Sequence, residues 1–374
     1  MDSNTKPTGA GVLERKSRAI TPKPELVLDG QRFSLTGQLQ KAGRNGSTHL
    51  TLRNFGVTIG GKHQHDEPLT PLPSGYREIA VSSEAIAANR PGTTVSVEGI
   101  IPESDLATMH PNTCLVLREG DKTALAILKQ NGTLRFIPKP PKEGAAVGQI
   151  NPRNFRQALA FGLLMDSTIP LVALPSVAGT GKTLMALRAG LEVIGKMRSL
   201  LRTAGTHENE SPEVRERPNR IIVCRSPYSV GKDLGFLPGT LEEKISPWAN
   251  AVHDALAVLV GAKECGDLFK TNTVEVITYE HLRGRSLHGA VLIGDDFQNA
   301  DINEALTFLT RAGNGTKVII TGDPMQVDNK AIPVGEDGMT QVVQKFIGWK
   351  GFGTITLVEC LRSELAAEAA RRLV

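Results

Sequence analysis

Three clusters of residues in this chain carry chemistry by type and spacing. The first is Ser176-Val177-Ala178-Gly179-Thr180-Gly181-Lys182-Thr183. Small residues there let backbone N–H groups close around a phosphate, and the following helix adds free N–H groups and a partial positive charge. The Lys182 ammonium is the expected partner of the β- and γ-phosphates, and the Thr183 hydroxyl an expected Mg²⁺ ligand. The second cluster is Asp295-Asp296, which ends the apolar run Val291-Leu292-Ile293-Gly294. Open parallel sheets bind ligands at the carboxyl ends of their strands. That places Asp295 to hold Mg²⁺ and Asp296 to polarise an attacking water. The third is Thr321-Gly322-Asp323-Pro324-Met325-Gln326, after another apolar strand, where Gln326 is placed to orient water or sense hydrolysis. A plain turn with Pro at its second position reads equally well for this segment alone.

One position departs from the usual GxxxxGK[ST] pattern. Ser176 stands where the first glycine is expected, which a serine tolerates only if its φ stays negative or strain is accepted.

The elements that must position these residues follow from the pattern around them. After Pro138-Lys139-Pro140-Pro141-Lys142, strands alternate with helices, which argues for a parallel sheet with crossover helices. The expected strands are 170–174, 220–224, 274–278, 290–295, 317–321 and 354–358, and the charged stretch 203–219 is an expected exposed loop. Before that hinge the chain reads as β structure. The block 75–142 holds the candidate strands 77–81, 94–97, 114–117, 124–128 and 133–137, with Asn131-Gly132 as a hairpin turn, and a small barrel is expected. The segment 25–74 carries short strands at 26–28, 33–35 and 49–52 and a Pro-rich linker, and 1–24 reads as a flexible tail. The fold class is therefore α/β, a mostly parallel P-loop core over 143–374 preceded by a small β-rich domain.

Composition bounds the function. The 374 residues are 40% hydrophobic and 22% charged, which is globular usage, with no apolar stretch long enough for a membrane helix. The N-terminus has no apolar signal core behind it, which points to a cytoplasmic protein. Four cysteines without CxxC spacing argue for reduced thiols and against a zinc site. The net charge of +4 is too small to establish a nucleic-acid partner alone. His63-Gln64-His65-Asp66-Glu67 lacks metal-site spacing and reads as linker. Trp248 reads as packing rather than a base-stacking platform.

Taken in order, the motifs resemble the PhoH family of ATPases. The carriers are Ala178 to Thr183, then Gly235-Phe236-Leu237-Pro238-Gly239-Thr240-Leu241-Glu242-Glu243-Lys244, Leu282-Arg283-Gly284-Arg285-Ser286, Asp295-Asp296-Phe297-Gln298-Asn299, Leu309-Thr310-Arg311, Thr321 to Asp328, and Arg362-Ser363. The likeness runs from about Asn151 to the C-terminus. The block from Arg77 to Ile137 also resembles the segment between the two halves of PIN–PhoH fusion proteins, while a PIN domain is not recognisable here, so no metal-dependent RNase activity is expected. The resemblance implies a RecA-like core, ATP and Mg²⁺ as ligands, and action on single-stranded RNA or DNA. It also implies a homo-hexameric ring, because one core per chain leaves half of each site to a neighbour. Gln157, in Asn151-Pro152-Arg153-Asn154-Phe155-Arg156-Gln157, matches the adenine-recognising position of the family; an ordinary helix start is the other reading. Arg311 and Arg362 are the arginine-finger candidates, against a solvated surface role, and Arg283 and Arg285 could contact nucleic-acid phosphates. The family's usual Asp-Glu is Asp295-Asp296 here, one methylene shorter, so slow turnover is expected. An ATP-binding regulatory ring with weak hydrolysis is the alternative; a small-molecule kinase is disfavoured by the Gly-Asp-Pro-x-Gln strand.

Overall fold

The computed structural model describes residues 72–82, 90–141, 151–195, 218–226 and 249–361 in backbone and side chain, with residues 86, 363–365, 368 and 372. Within 25–60 and 241–248 it describes strands and a helix by backbone alone. The chain divides into two compact units, Met1–Leu69 and Thr70–Val374.

The first unit holds two antiparallel sheets. β1 (Glu25–Leu28) pairs with β2 (Gln31–Ser34), Leu28 facing Gln31. β3 (Gln40–Ala42), β4 (Ser47–Leu52) and β5 (Val57–Gly60) form a three-stranded meander. β3 and β5 are too short and too polar to stand out as strands in the sequence.

The second unit begins with β6 (Tyr76–Ala80), β7 (Thr94–Ser96), helix α1 (Glu103–Leu106), β8 (Cys114–Glu119), β9 (Lys122–Lys129) and β10 (Thr133–Ile137). These five strands form one sheet in the order β6-β8-β9-β10-β7, antiparallel except for β6 beside β8. The expected barrel is corrected to an open sheet. β6 pairs with β8 and β7 with β10, so β6 and β7 form opposite edges, where they do not meet. Both faces of the sheet are nevertheless buried, which explains the unbroken apolar runs in β8 and β9. Leu115, Leu117, Ala124, Ala126, Leu134 and Phe136 close one core with Ile79, Val97 and Ile101. Cys114, Val116, Leu125, Ile127 and Ile137 face the other way, into the core of the remaining unit.

That remainder is a six-stranded sheet of β11 (Leu171–Pro175), β12 (Arg220–Cys224), β13 (Val274–Ile277), β14 (Ala290–Gly294), β15 (Lys317–Gly322) and β16 (Phe352–Thr354). The order is β13-β12-β14-β15-β11-β16, and every neighbouring pair is parallel. The expected RecA-like α/β core is therefore present. Alternate strand residues feed two cores. Val172, Leu174, Ile221, Val223, Val291 and Ile293 pack with α2 (Phe155–Leu164), α3 (Lys182–Val193), α4 (Leu241–Val260) and α5 (Ala262–Lys270). Leu171, Ala173, Ile222, Cys224, Leu292 and Ile320 pack with α6 (Ile302–Thr310) and α7 (Gly338–Phe346). Helices on both faces are what an all-parallel sheet requires. β16 starts two residues earlier than expected, but pairing continues irregularly past it: Ile355 donates to Ala173 O and Leu357 to Pro175 O.

No helix among the described residues is long and apolar enough to cross a membrane.

Candidate nucleotide site

The site assembles at the carboxyl ends of β11, β14, β15 and β12. β11 is buried at every position and stops at Pro175. Ser176 then turns the chain, bridging in parallel to Leu357 and donating its amide to Gly322 O at 2.9 Å. Its hydroxyl points back to Leu174 O at 3.2 Å. Ser176 keeps a negative φ, so the missing glycine costs no backbone strain. The left-handed positions fall instead on Gly179, φ 79°, and Gly181, φ 82°, where glycine is the residue that fits. Ahead of them Val177 is exposed and Ala178 is half-buried. Thr180 is buried and its hydroxyl closes the loop onto Val177 O at 3.1 Å.

Helix α3 opens at Lys182 directly after Gly181, and no side chain caps it. A helix N-terminus so arranged presents free N–H donors and positive potential to an anion. The loop thus fits a chain of phosphates: its two left-handed glycines curve the backbone, and the uncapped helix supplies donors.

The acidic strand meets this loop through Thr183. Its hydroxyl donates to Asp295 Oδ1 at 2.7 Å, and Thr321 at the end of β15 donates to the same oxygen at 2.6 Å. Asp295 is buried, and its second oxygen faces Arg225 Nε at 3.4 Å. Burial and the neighbouring Asp296 push the Asp295 carboxyl above its usual range, while Arg225, Thr321 and Thr183 pull it back. Asp296 takes up the left-handed conformation, φ 50° and ψ 44°, which Asp adopts more readily than most residues. Its carboxylate is held by the Arg225 guanidinium.

Gly322-Asp323 continues β15 alongside the loop. Asp323 is buried, and its side chain accepts the Met325 amide at 3.0 Å. Burial raises this carboxyl, opposed by the amides of Met325 and Ala178 and by the Lys182 charge. Gln298, after the acidic strand, receives the Asp323 amide and donates to Gln326 O at 3.2 Å. The Gln326 side chain is exposed beside the loop.

Gln157 reaches the loop from the first turn of α2. Its Nε2 donates to Thr180 O at 2.9 Å and its Oε1 accepts the Arg153 amide at 2.7 Å. Both ends of this amide are thus spent on backbone, in addition to the helix start, which Asn154 caps.

The arginines divide differently. Arg225 was not anticipated, although it follows β12 as Asp295 follows β14, and that shared logic of strand ends would have found it. Arg311 caps α6 ahead of β15, and its amide plane pairs with Leu287 ahead of β14. It lies at the amino ends of the strands, the opposite end of the sheet from the phosphate loop. Arg285 is engaged by Glu275 through two bonds of 2.8 and 2.9 Å, while Arg283 is exposed. Arg362 lies outside the described residues, although its neighbour Leu361 donates to Gly179 O at 2.9 Å. The stretches 63–67 and 235–240 also lie outside them, as does the Trp248 side chain.

Among the described residues there is no group of three or more His, Cys, Asp or Glu suited to a metal. One hydroxyl and one carboxylate, Thr183 and Asp295, are the type of donor set that holds Mg²⁺ together with substrate phosphates.

Comparison with known proteins agrees with this geometry. Residues 212–373 match the family model described as PhoH-like protein. The chain is 33% identical over 363 residues to Protein PhoH2 of Thermobispora bispora, covering 96% of this chain and 75% of that one. Over 306 residues it is 32% identical to Protein PhoH2 of Bacillus subtilis, covering 79% of this chain and 63% of the relative, just under two thirds of its length. A PhoH-like protein of Mycobacterium tuberculosis is 33% identical over 310 residues, with 83% and 74% covered. With its parallel core, its phosphate-loop geometry and a relative of this identity matched over three quarters of its length, the chain belongs to the PhoH family.

Proposed function

We propose that this protein is an Mg²⁺-dependent ATPase that acts on single-stranded RNA, or on DNA, as a helicase or remodelling motor. The observation that carries the reading is the 2.7 Å contact between Thr183 and Asp295. It joins the phosphate loop to the acidic strand at the two groups that would share the metal. In this reading Lys182 and the backbone from Ser176 to Gly181 bind the triphosphate. Thr183 and Asp295 hold Mg²⁺, which neutralises charge on the phosphates. Asp296 orients the attacking water, Gln326 reports on the γ-phosphate, and Gln157 stands at the adenine end. Such sites act by positioning and electrostatic stabilisation. ATP rather than GTP, a cytoplasmic location and a homo-hexameric ring belong to the same proposal. The ring reading is supported by Arg311, which stands a strand's length from its own phosphate loop and would serve only a neighbour's; Arg362 is the second candidate.

One observation favours a second reading, an ATP-binding regulatory ring with weak hydrolysis: the Asp296 carboxylate is already committed to Arg225. Phosphate release from ATP, with and without single-stranded RNA, separates the two. Wild type should hydrolyse ATP, Lys182→Ala should lose it, and Asp296→Glu should raise the rate by restoring reach. Tight ATP binding without release from wild type would sink the motor reading. Release by Lys182→Ala at the wild-type rate would sink the site assignment.

A further inference from the structure

At the opposite pole from the phosphate loop lies an open groove of about 800 Å³ between the five-stranded sheet and the turn after α2. Its lining sets polar side chains beside the apolar Met165: Thr94, Asn131, Thr133, Arg135, Ser167 and Thr168 stand on its walls, with Lys129 and Asp166 at its floor. A pocket for a small molecule is mostly apolar and closes over its ligand. This groove stays open.

The floor is a built network. Asp166 is buried, and its Oδ2 accepts both Lys129 Nζ at 2.9 Å and Arg135 at 2.6 Å. Its Oδ1 takes the Thr168 hydroxyl and amide at 2.6 and 2.9 Å. Lys129 spends its remaining donors on Asn112 and Thr168, at 3.2 and 3.0 Å. Behind them Lys317 is buried against three carbonyls, Leu163, Asp166 and Ile169. Two cations, Lys129 and Arg135, therefore share one carboxylate oxygen. Positive charge is in surplus at a partly buried place, where charge without a counter-ion is costly. Arg135 makes one bond with its five donors and is 30% exposed at the groove wall.

We propose that this groove binds the sugar-phosphate backbone of a single-stranded nucleic acid, with Arg135 as its principal phosphate contact. Hydroxyls and amides on both banks suit sugar and phosphate oxygens, and an open groove admits a chain that a closed pocket would not. Grooves that track a single strand combine such donors with positive charge. The same helix touches both sites. α2 donates Gln157 to Thr180 of the phosphate loop at its start and ends in the turn that carries Asp166. This inference rests on the proposed action on nucleic acid and says where the strand lies.

The test is the anisotropy of a fluorescein-labelled 20-nucleotide oligouridine, titrated at several salt concentrations with the full chain. The variants are Arg135→Gln and Ser167→Glu, with Lys263→Gln, on the exposed start of α5, as control. Ser167 is exposed and takes no part in the Asp166 network, so Ser167→Glu tests the groove even if Arg135→Gln fails to fold. Each groove variant should weaken binding about tenfold, and Arg135→Gln should also flatten the log–log salt slope by about 0.7, one phosphate's share for a single strand. The control should bind as wild type does, and phosphate release without RNA should be unchanged in all three. Groove variants that bind like wild type overturn the groove while leaving an RNA-linked ATPase standing. No binding by wild type overturns the groove and the nucleic-acid half of the proposed function together, whereas loss of ATPase alone touches neither binding result.

Discussion

Lys317 shows what a single residue contributes to this fold. It opens β15 with its ammonium buried against three carbonyls at the end of α2. Burial lowers it to about 7; Asp166 acts the other way, and Lys129 and Arg135 add to the lowering. An unfolded lysine titrates near 10.4. Between about pH 7 and 10 the unfolded chain therefore holds more protons than the folded one, and stability from this group rises with pH. The slope reaches at most about 1.4 kcal/mol per pH unit for one proton. The stability of wild type minus that of Lys317→Met, from urea unfolding, should widen between pH 7 and 9. A difference that stays flat would refute the burial argument. Nothing in the sequence marks Lys317, because its partners are carbonyls some 150 residues earlier. The phosphate loop was legible because its donors are consecutive. Arg225 could be placed at its strand end, but its pairing with Asp296, 71 residues further on, could not. Burial of Asp323 escaped the sequence for the same reason, although its motif was plain.

Elements in this protein are joined at a few close approaches. At Gly75, just before β6, φ is +64° and a Cβ would come within 1.8 Å of Thr354 O in β16. The obstacle is backbone and cannot swing away. Around it the Gly75 carbonyl accepts the Cys114 amide and the Ser74 carbonyl accepts the Thr356 amide. The Arg156 guanidinium lies 4.1 Å over the Tyr76 ring and binds Thr356 O. Gly75→Ala should cost about 3 kcal/mol from strain and overpacking together. The urea midpoint should fall with an unchanged slope; a loss under about 1 kcal/mol would mean the joint is looser than this. The strands themselves could be read from apolar runs, and the parallel core emerged from their alternation with helices. Their pairing could not. β8 and β9 look alike whether the sheet closes into a barrel or lies open with both faces covered, and only the strand order, with β6 and β7 at its two edges, decides it.

Across the whole molecule, the Pro-rich stretch at 138–142 marks a change of periodicity, yet a core runs across it. Cys114, Val116, Leu125, Ile127 and Ile137 share one cluster with Ala158, Leu159, Leu163 and Leu164 of α2. Gly162 sits so near the sheet that an added Cβ would meet Ile137 at 2.8 Å and Ile127 at 3.2 Å. The five-stranded sheet is thus the cover of α2, and α2 in turn covers the parallel sheet. The chain divides into two compact units between Leu69 and Thr70, whereas the hinge at 138–142 lies inside the second. Two truncations should therefore behave differently. A chain starting at Thr70 keeps the whole second unit, and should unfold in one cooperative transition and bind ATP if the full chain does. A chain starting at Glu143 bares the apolar face that α2 turns to the five-stranded sheet, where each large side chain's burial is worth about 1.5–3 kcal/mol. It should bind a hydrophobic dye and show no cooperative transition. Calorimetry of both chains decides the matter: a sharp wild-type transition from the shorter one would mean that the core is divisible at the hinge after all, and that the groove at its junction joins two independent bodies.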